Sequence, residues 1–479
     1  MEENWDVIVV GAGTGGIPTA VFAGQRGARV LLIEADERIG GTLHWSSGQM
    51  TAAGTKLQKK HGIEDHPDWH FDDCMRISNG DFEPVLGRIA IENAAESFDW
   101  LCDNGFEPEP NTPVAGWGHE PHRTRRYAWG PDGGLSILQA MEPQLDAEIA
   151  RGTVTLIMQT KMTRLLTKDG AVIGIEVEAR DGEKAEVFGQ NVVLTTGGYA
   201  ASREVWAELT PNHPLRSHCN PYSRGEGILA ARAVGAKVDK GEQFLCSYAG
   251  VMQDPNDPLS VRGGLMLNPH FRRPWEICVN RQGKRFVRED HPSVDVREHA
   301  LLEQDGMEMW FVFDEGIRQN APHFHSEIER EHIVGLFNKH PSYFMADTVE
   351  ELAEKCGVDA AGLKATLVEY NEAVESKKDK FGRESLPRPF DRAPYYAIRA
   401  VGFTVLSPGG LNIDKEMRVL DTENQPIANL FASGEVLGKA RISGKTYLSG
   451  MSVLPAITFG RLLGQKKLTW RGLNSAAAE

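Results

Sequence analysis

The sequence predicts an α/β fold: a parallel sheet that carries a nucleotide, a small antiparallel sheet beside it, and an inserted α+β domain. Three observations carry this. The N-terminal "WDVIVVGAGTGG" joins a continuous apolar strand to a glycine turn. The stretch "GTVTLIMQTKMTRLLTKDGAVIGIEVEARDGEKAEVFGQNVVLTTGG" alternates β-rich runs with the turn signals KDG and RDGE. From about residue 237 to residue 393 the composition shifts to tryptophan, proline, histidine and charged helices such as "TVEELAEKCGVDAAGLKATLVEYNEAVES". At 479 residues the chain exceeds what one core serves, so at least two domains are expected.

The first element is the strand Trp5–Gly11, followed by Gly11, Gly13 and Gly16 in G-x-G-x-x-G spacing and the apolar-periodic "IPTAVFAGQRG". The first glycine permits the turn and the second lets backbone meet a pyrophosphate. The third lets the helix pack on the strand, with the helix N-terminus favouring the anion. A second strand, "ARVLLIE", ends at Glu34, whose carboxylate is placed to accept ribose hydroxyls. Strand, spacing, helix and acid together define a Rossmann-like dinucleotide site. The polar "ADERIGGTLHWSSGQMTAAGT" that follows is suited to run alongside a flavin.

Bulk composition narrows the class. The 52 basic and 67 acidic residues give a net charge of −15, which argues against nucleic-acid or anionic-membrane binding. Six scattered cysteines without a C-x-x-C pair suggest neither disulfides nor a zinc or iron–sulfur site, and fit a reducing cytoplasm. No basic leader precedes the first strand and no apolar run reaches about 18 residues, so neither export nor a membrane partner is expected. The Ala-rich tail "NSAAAE" reads as unstructured.

Four segments carry a family likeness. "GGTLHWSSGQMTAAG" contains Gly40, Gly41, Thr42, Ser47 and Gly48; "NVVLTTGGYAASREV" contains Gly197 and Gly198; "SRGEGILAARAVGAKV" reads as a helix; "PIANLFASGEVLG" contains Gly434 and Glu435. In this order, over nearly the whole chain, they resemble flavoproteins of the fumarate reductase and succinate dehydrogenase superfamily. The resemblance implies a discontinuous FAD-binding domain (1–236 and 394–479), with a cap and substrate domain (237–393) closing over the flavin. It implies FAD held by the residues just named together with Gly11, Gly13, Gly16, Glu34, Ser452 and Val453, with Glu435 near the ribityl chain. Thr42 stands where succinate dehydrogenases place their flavin-linking histidine, and His44 lies two residues on, so non-covalent FAD is expected.

The chemistry departs from the fumarate pattern. Where that pattern has H-G-x-N-R-x-G-G, this chain has "RISGKTYLSGM", with Tyr447 at the arginine and Ile442 or Ser443 at the histidine. "PSVD" replaces the expected T-T-R-D, bringing Ser293 or Val294 to the place of the donor arginine, with Arg297 out of register. The tyrosine resembles the ketosteroid dehydrogenase and cyclic-ketone desaturase branch, although the loop is one residue shorter. That likeness implies that the Tyr447 hydroxyl and the Gly450 amide bind the substrate carbonyl. The resemblance also makes Tyr248 and Tyr127 the candidate bases: Tyr248 stands at about the place where fumarate-type members put a substrate histidine, and Tyr127 lies in a region that lines the same cleft in the family. A phenol serves as base only with a partner that lowers its pKa, and for Tyr127 those partners are Arg125 and Arg126. The run "GHEPHRTRR", with His119, His122, Arg123 and Arg126, reads as a solvated loop or as an anion site helped by Arg441 and Lys445. No metal site is expected: His323 and His325, two apart, fall on different faces of a surface helix.

The function so implied is an FAD-dependent CH–CH oxidoreductase that dehydrogenates, or in reverse reduces, a bond adjacent to a carbonyl. Its substrate would be a small molecule such as a cyclic ketone, ketosteroid or keto acid, and its electron acceptor is open. The alternatives are a fumarate reductase-like reductase of an unsaturated acid and an electron-entry subunit docking on an iron–sulfur partner.

Overall fold

The computed structural model describes residues 5–471 and 473; the tail predicted as unstructured lies outside them. Among the described residues the first sheet has eight strands. Along its main path the order is Arg418–Leu420, Pro426–Ala432, Lys184–Leu194, Trp5–Val10, Val30–Ile33 and Val154–Ile157. Trp5–Val10 pairs in parallel with both Val30–Ile33 and Lys184–Leu194. The central strands read "VIVV" and "VLLI" because helices cover both faces of the sheet, so no alternate residue is left to solvent. The hairpin Thr160–Lys168 and Ala171–Ala179 attaches through the long strand Lys184–Leu194, as the turn signals predict.

Helix Gly16–Gln25 follows the glycine turn and lies beside the late helix Val453–Leu462. Two glycines make these approaches possible. A Cβ on Gly16 would overlap the Gly11 carbonyl, and one on Gly460 would overlap the carbonyl of Gly15. The sequence motif thus sets strand-to-helix spacing as much as anion contact.

The second sheet is antiparallel and six-stranded among the described residues, ordered Val261–Arg262, Ser247–Met252, Tyr395–Phe403, Glu308–Asp314 and Ile277–Val279, with Tyr343–Ala346 also on Tyr395–Phe403. This corrects the boundary expected between residues 393 and 394. Tyr395–Phe403 pairs along its length with Glu308–Asp314, so the chain leaves the second sheet only after Phe403. The physical reason is its composition: "YYAIRAVGF" buries most of both faces, which suits a central strand. A single apolar cluster runs through both sheets. No helix among the described residues is long and apolar enough to cross a membrane.

Candidate active site

A cavity of about 460 Å³ opens at the C-terminal ends of the parallel strands, where open α/β sheets bind their ligands. Gly11 and Gly13 line it, as do Glu34, Gly41, Thr42, Ser47, Gly197, Gly434, Glu435, Ser452 and Val453. Four predicted glycines, Gly16, Gly40, Gly48 and Gly198, stand off the wall. Gly48 and Gly198 are packed where a Cβ would strike Gly133 backbone and the Ser407 and Glu435 side chains, so they shape the wall from behind. His44 turns away and contacts the Ile39 carbonyl at 2.8 Å.

The residues present fit a dinucleotide. A Cβ on Gly13 would meet no protein atom within 4 Å, so the backbone there is open to a ligand, and Thr14 and Gly15 bring the start of the ten-residue helix to the cavity. The Glu34 carboxylate accepts the amides of Ala12 (2.7 Å) and Asp36 (2.9 Å), which fixes both oxygens at the end of the second strand. Burial raises its pKa above the ordinary carboxylate range against these bonds. Glu435 accepts the Ser407 amide at 2.9 Å, and burial pushes its carboxyl up to about 7.

Tyr447 lies on the wall near this end, with Gln49, Lys439 and Gly450. Its hydroxyl donates to Gln49 Oε1 at 3.4 Å, and its amide donates to Asp295 Oδ1 at 3.2 Å. Burial, with the charge of Glu298 adding, raises the phenol to about 12. It therefore enters neutral and able to donate. Gly450 has φ +74°, and a Cβ there would come within 2.5 Å of the Thr51 nitrogen, so the loop turns tightly behind Tyr447.

The two candidate bases are placed differently from expectation. Tyr127 stands behind Tyr447, its phenol against that of Tyr447, and is not on the cavity wall. Arg126 does not lower its pKa: that guanidinium binds Asp65 at 2.7 and 2.9 Å and Asp73 at 2.6 Å, and burial drives Tyr127 upward. Tyr248 lines a separate small cavity with Arg297, Cys278 and Glu289, and burial raises its pKa as well. Arg297 lies over the Tyr248 ring at 5.2 Å and donates to the Leu267 carbonyl at 2.6 Å.

The basic run divides: Arg126 and His122 are buried around Asp73, while Arg123 and Arg125 face solvent. Arg441 is buried against Asp239, and Lys445 is exposed. The stretch from His323 to Glu329 is irregular rather than helical, with His323 bonded to the Ile328 carbonyl.

Sequence reasoning missed the surroundings of Tyr447. The His119 ring stacks on it, centroids 3.8 Å apart and planes 25° from parallel, and His119 Nδ1 lies 3.5 Å from Asp295 Oδ2. Burial opposes the charge on Asp295, yet His119 and the Tyr447 amide hold it below the ordinary carboxylate range. Glu298 is buried one turn along the same helix, Val294–Leu302, and burial pushes it up to about 7. His119, Asp295 and Glu298 bring ligand-type atoms within 4.8 Å of one another. Burial lowers the pKa of the Lys439 ammonium against the opposing pull of the Glu298 and Asp295 carboxylates beside it. Asp295 is the last residue of the quoted "PSVD", but no spacing rule joins residues 119, 295 and 447.

A nucleotide cradle at the strand ends, running into a cleft with a neutral phenol on its wall, defines a flavin-dependent oxidoreductase. The chain belongs to the FAD binding domain family, which it matches over residues 6–453. A fumarate reductase (cytochrome) from Shewanella frigidimarina is 32% identical over 464 residues, covering 96% of this chain and 76% of its own. The open conformation of a flavocytochrome c3 fumarate reductase has a TM-score of 0.73 at 27% identity, covering 96% of this chain and 78% of that one. A 3-ketosteroid delta1-dehydrogenase from Sterolibacterium denitrificans shares the fold, with a TM-score of 0.76 at 22% identity over 96% of this chain and 98% of that one.

Proposed function

We propose that the protein adds or removes hydrogen across a carbon–carbon bond next to a carbonyl, using FAD held without a covalent link. The observation that carries this reading is the Tyr447 hydroxyl on the cavity wall. When bound, FAD supplies hydride exchange; the chain's residues must handle the charge and the proton. As hydrogen leaves or joins the bond, negative charge builds on the carbonyl oxygen. The neutral Tyr447 phenol donates to that oxygen, with the Gly450 amide as its partner in the same loop. Without substrate that hydrogen is donated to Gln49 Oε1 at 3.4 Å, and it turns to the carbonyl oxygen once substrate is seated. Tyr127, buried behind, donates to the Tyr447 oxygen, which leaves the Tyr447 hydrogen for the carbonyl.

Among the described residues the side-chain ammonium and guanidinium groups on the cavity wall are two lysines, Lys161 and Lys439, and no arginine. This favours a single carbonyl or keto acid over a dicarboxylate clamped by bidentate guanidinium groups. A carboxylate substituent would meet Lys439. The fumarate reductase relative supports the same bond class, since fumarate carries its double bond beside a carbonyl carbon. The six free cysteines support a reducing, cytoplasmic setting.

The test is anaerobic. Reduced holoenzyme is mixed with cyclohex-2-en-1-one, a 2-enoic keto acid or fumarate, and oxidised holoenzyme with the saturated ketone, while flavin absorbance is followed. Tyr447→Phe should keep FAD and lose about 10²–10³ in turnover of the carbonyl compound. Turnover near wild type in Tyr447→Phe, or reoxidation by fumarate alone, would overturn the reading.

A further inference from the structure

We propose that His119, clamped by Asp295, is a positioning residue that fixes the Tyr447 ring as the phenol donates. The inference rests on the reading of Tyr447 given above. Its geometry is independent of that reading. The imidazole lies flat on the phenol ring at 3.8 Å, in stacking contact that leaves the ring no room to turn toward it. Asp295 makes two contacts at once: Oδ1 takes the Tyr447 amide, and Oδ2 faces His119 Nδ1. One carboxylate therefore sets both the loop that carries the phenol and the ring that covers it.

The atoms facing each other are otherwise unsatisfied. His119 Nδ1 and Asp295 Oδ2 are buried, and neither has a hydrogen bond from another group. Buried polar atoms left this way are costly unless paired, so each is committed to the other. The remaining charged or titratable groups facing the imidazole are Glu298 on the Asp295 helix, Lys439 and Tyr447 on the late loop, and Tyr127 behind the phenol. Three separate segments meet here: His119 precedes the short strand at Tyr127, Asp295 belongs to the second domain, and Tyr447 follows the nucleotide domain's last strand.

Histidine ¹⁵N NMR of oxidised, substrate-free holoenzyme gives the first arm, with the His119 resonance assigned by its loss in His119→Phe. That resonance should move in both Asp295→Asn and Tyr447→Phe. A resonance unmoved in both overturns the proposal, whatever the enzyme turns over. The second arm uses cyclohex-2-en-1-one as acceptor. His119→Phe keeps a flat ring over the phenol and should lose about tenfold or more in kcat with KM changed less than about threefold. Imidazole should restore turnover in His119→Ala. A kcat within about twofold of wild type in His119→Phe, or a change confined to KM, overturns the proposal. Should His119→Phe fail to retain FAD, Asp295→Asn stands in for it with the same kcat criterion.

Discussion

At the scale of single residues, Glu298 shows how the site ties stability to pH. Its carboxyl is buried and titrates at about 7, above the ordinary glutamate value of 4.5. The folded protein therefore keeps this proton through a window in which the unfolded chain has released it. Stability is fully held below about 4.5, falls as pH rises toward about 7, and levels off above. The loss across the window is about 3–4 kcal/mol at most, at about 1.4 kcal/mol per pH unit. Glu298→Gln should flatten that slope, which denaturant titration between pH 4.5 and 8 would read. An unchanged slope would show that the side chain is more hydrated than its burial indicates. Tyr447 and Glu435 can be singled out in the chain because each sits in a recognisable segment. His119 cannot, because its meaning comes from Asp295 and Tyr447, which lie 176 and 328 residues further on.

At the scale of elements, the glycine turn and the helix after it are fixed by backbone contact. A methyl on Gly16 would overlap the Gly11 carbonyl, so Gly16→Ala must push the helix off the first strand. Loss of FAD on gel filtration is the expected result, with a fall in stability of about 1–3 kcal/mol. The parallel strands, the hairpin and this helix are legible in the chain because each has its own periodicity or turn chemistry. Tyr395–Phe403 reads in sequence as a return to the nucleotide domain, and the structure places it elsewhere. Its apolar run fits a central strand of either sheet, and pairing partners some 80 to 150 residues away decide between them. The stretch around His323 misleads for a similar reason: His325 bridges Leu265 instead of continuing a helix.

For the whole molecule, the cavity draws its wall from segments spread between Val10 and Phe459. A dinucleotide seated there ties together strands, loops and the late helix, so removing it should lower stability in proportion to how tightly it binds. At free FAD one hundred times its dissociation constant the difference is about 2.7 kcal/mol. Thermal denaturation of holo- and apoprotein measures it, and a yellow supernatant after acid precipitation checks that the link is not covalent. Cofactor precipitating with the chain would contradict that part of the reading. The two sheets are also joined along one continuous stretch of backbone. The central strand Tyr395–Phe403 runs directly into Val405 and Leu406 on the cavity wall and then Ser407, whose amide and hydroxyl both bind Glu435. Residues 404–407 are thus a splice of backbone that carries the central strand of one sheet to the Glu435 carboxylate beside the other.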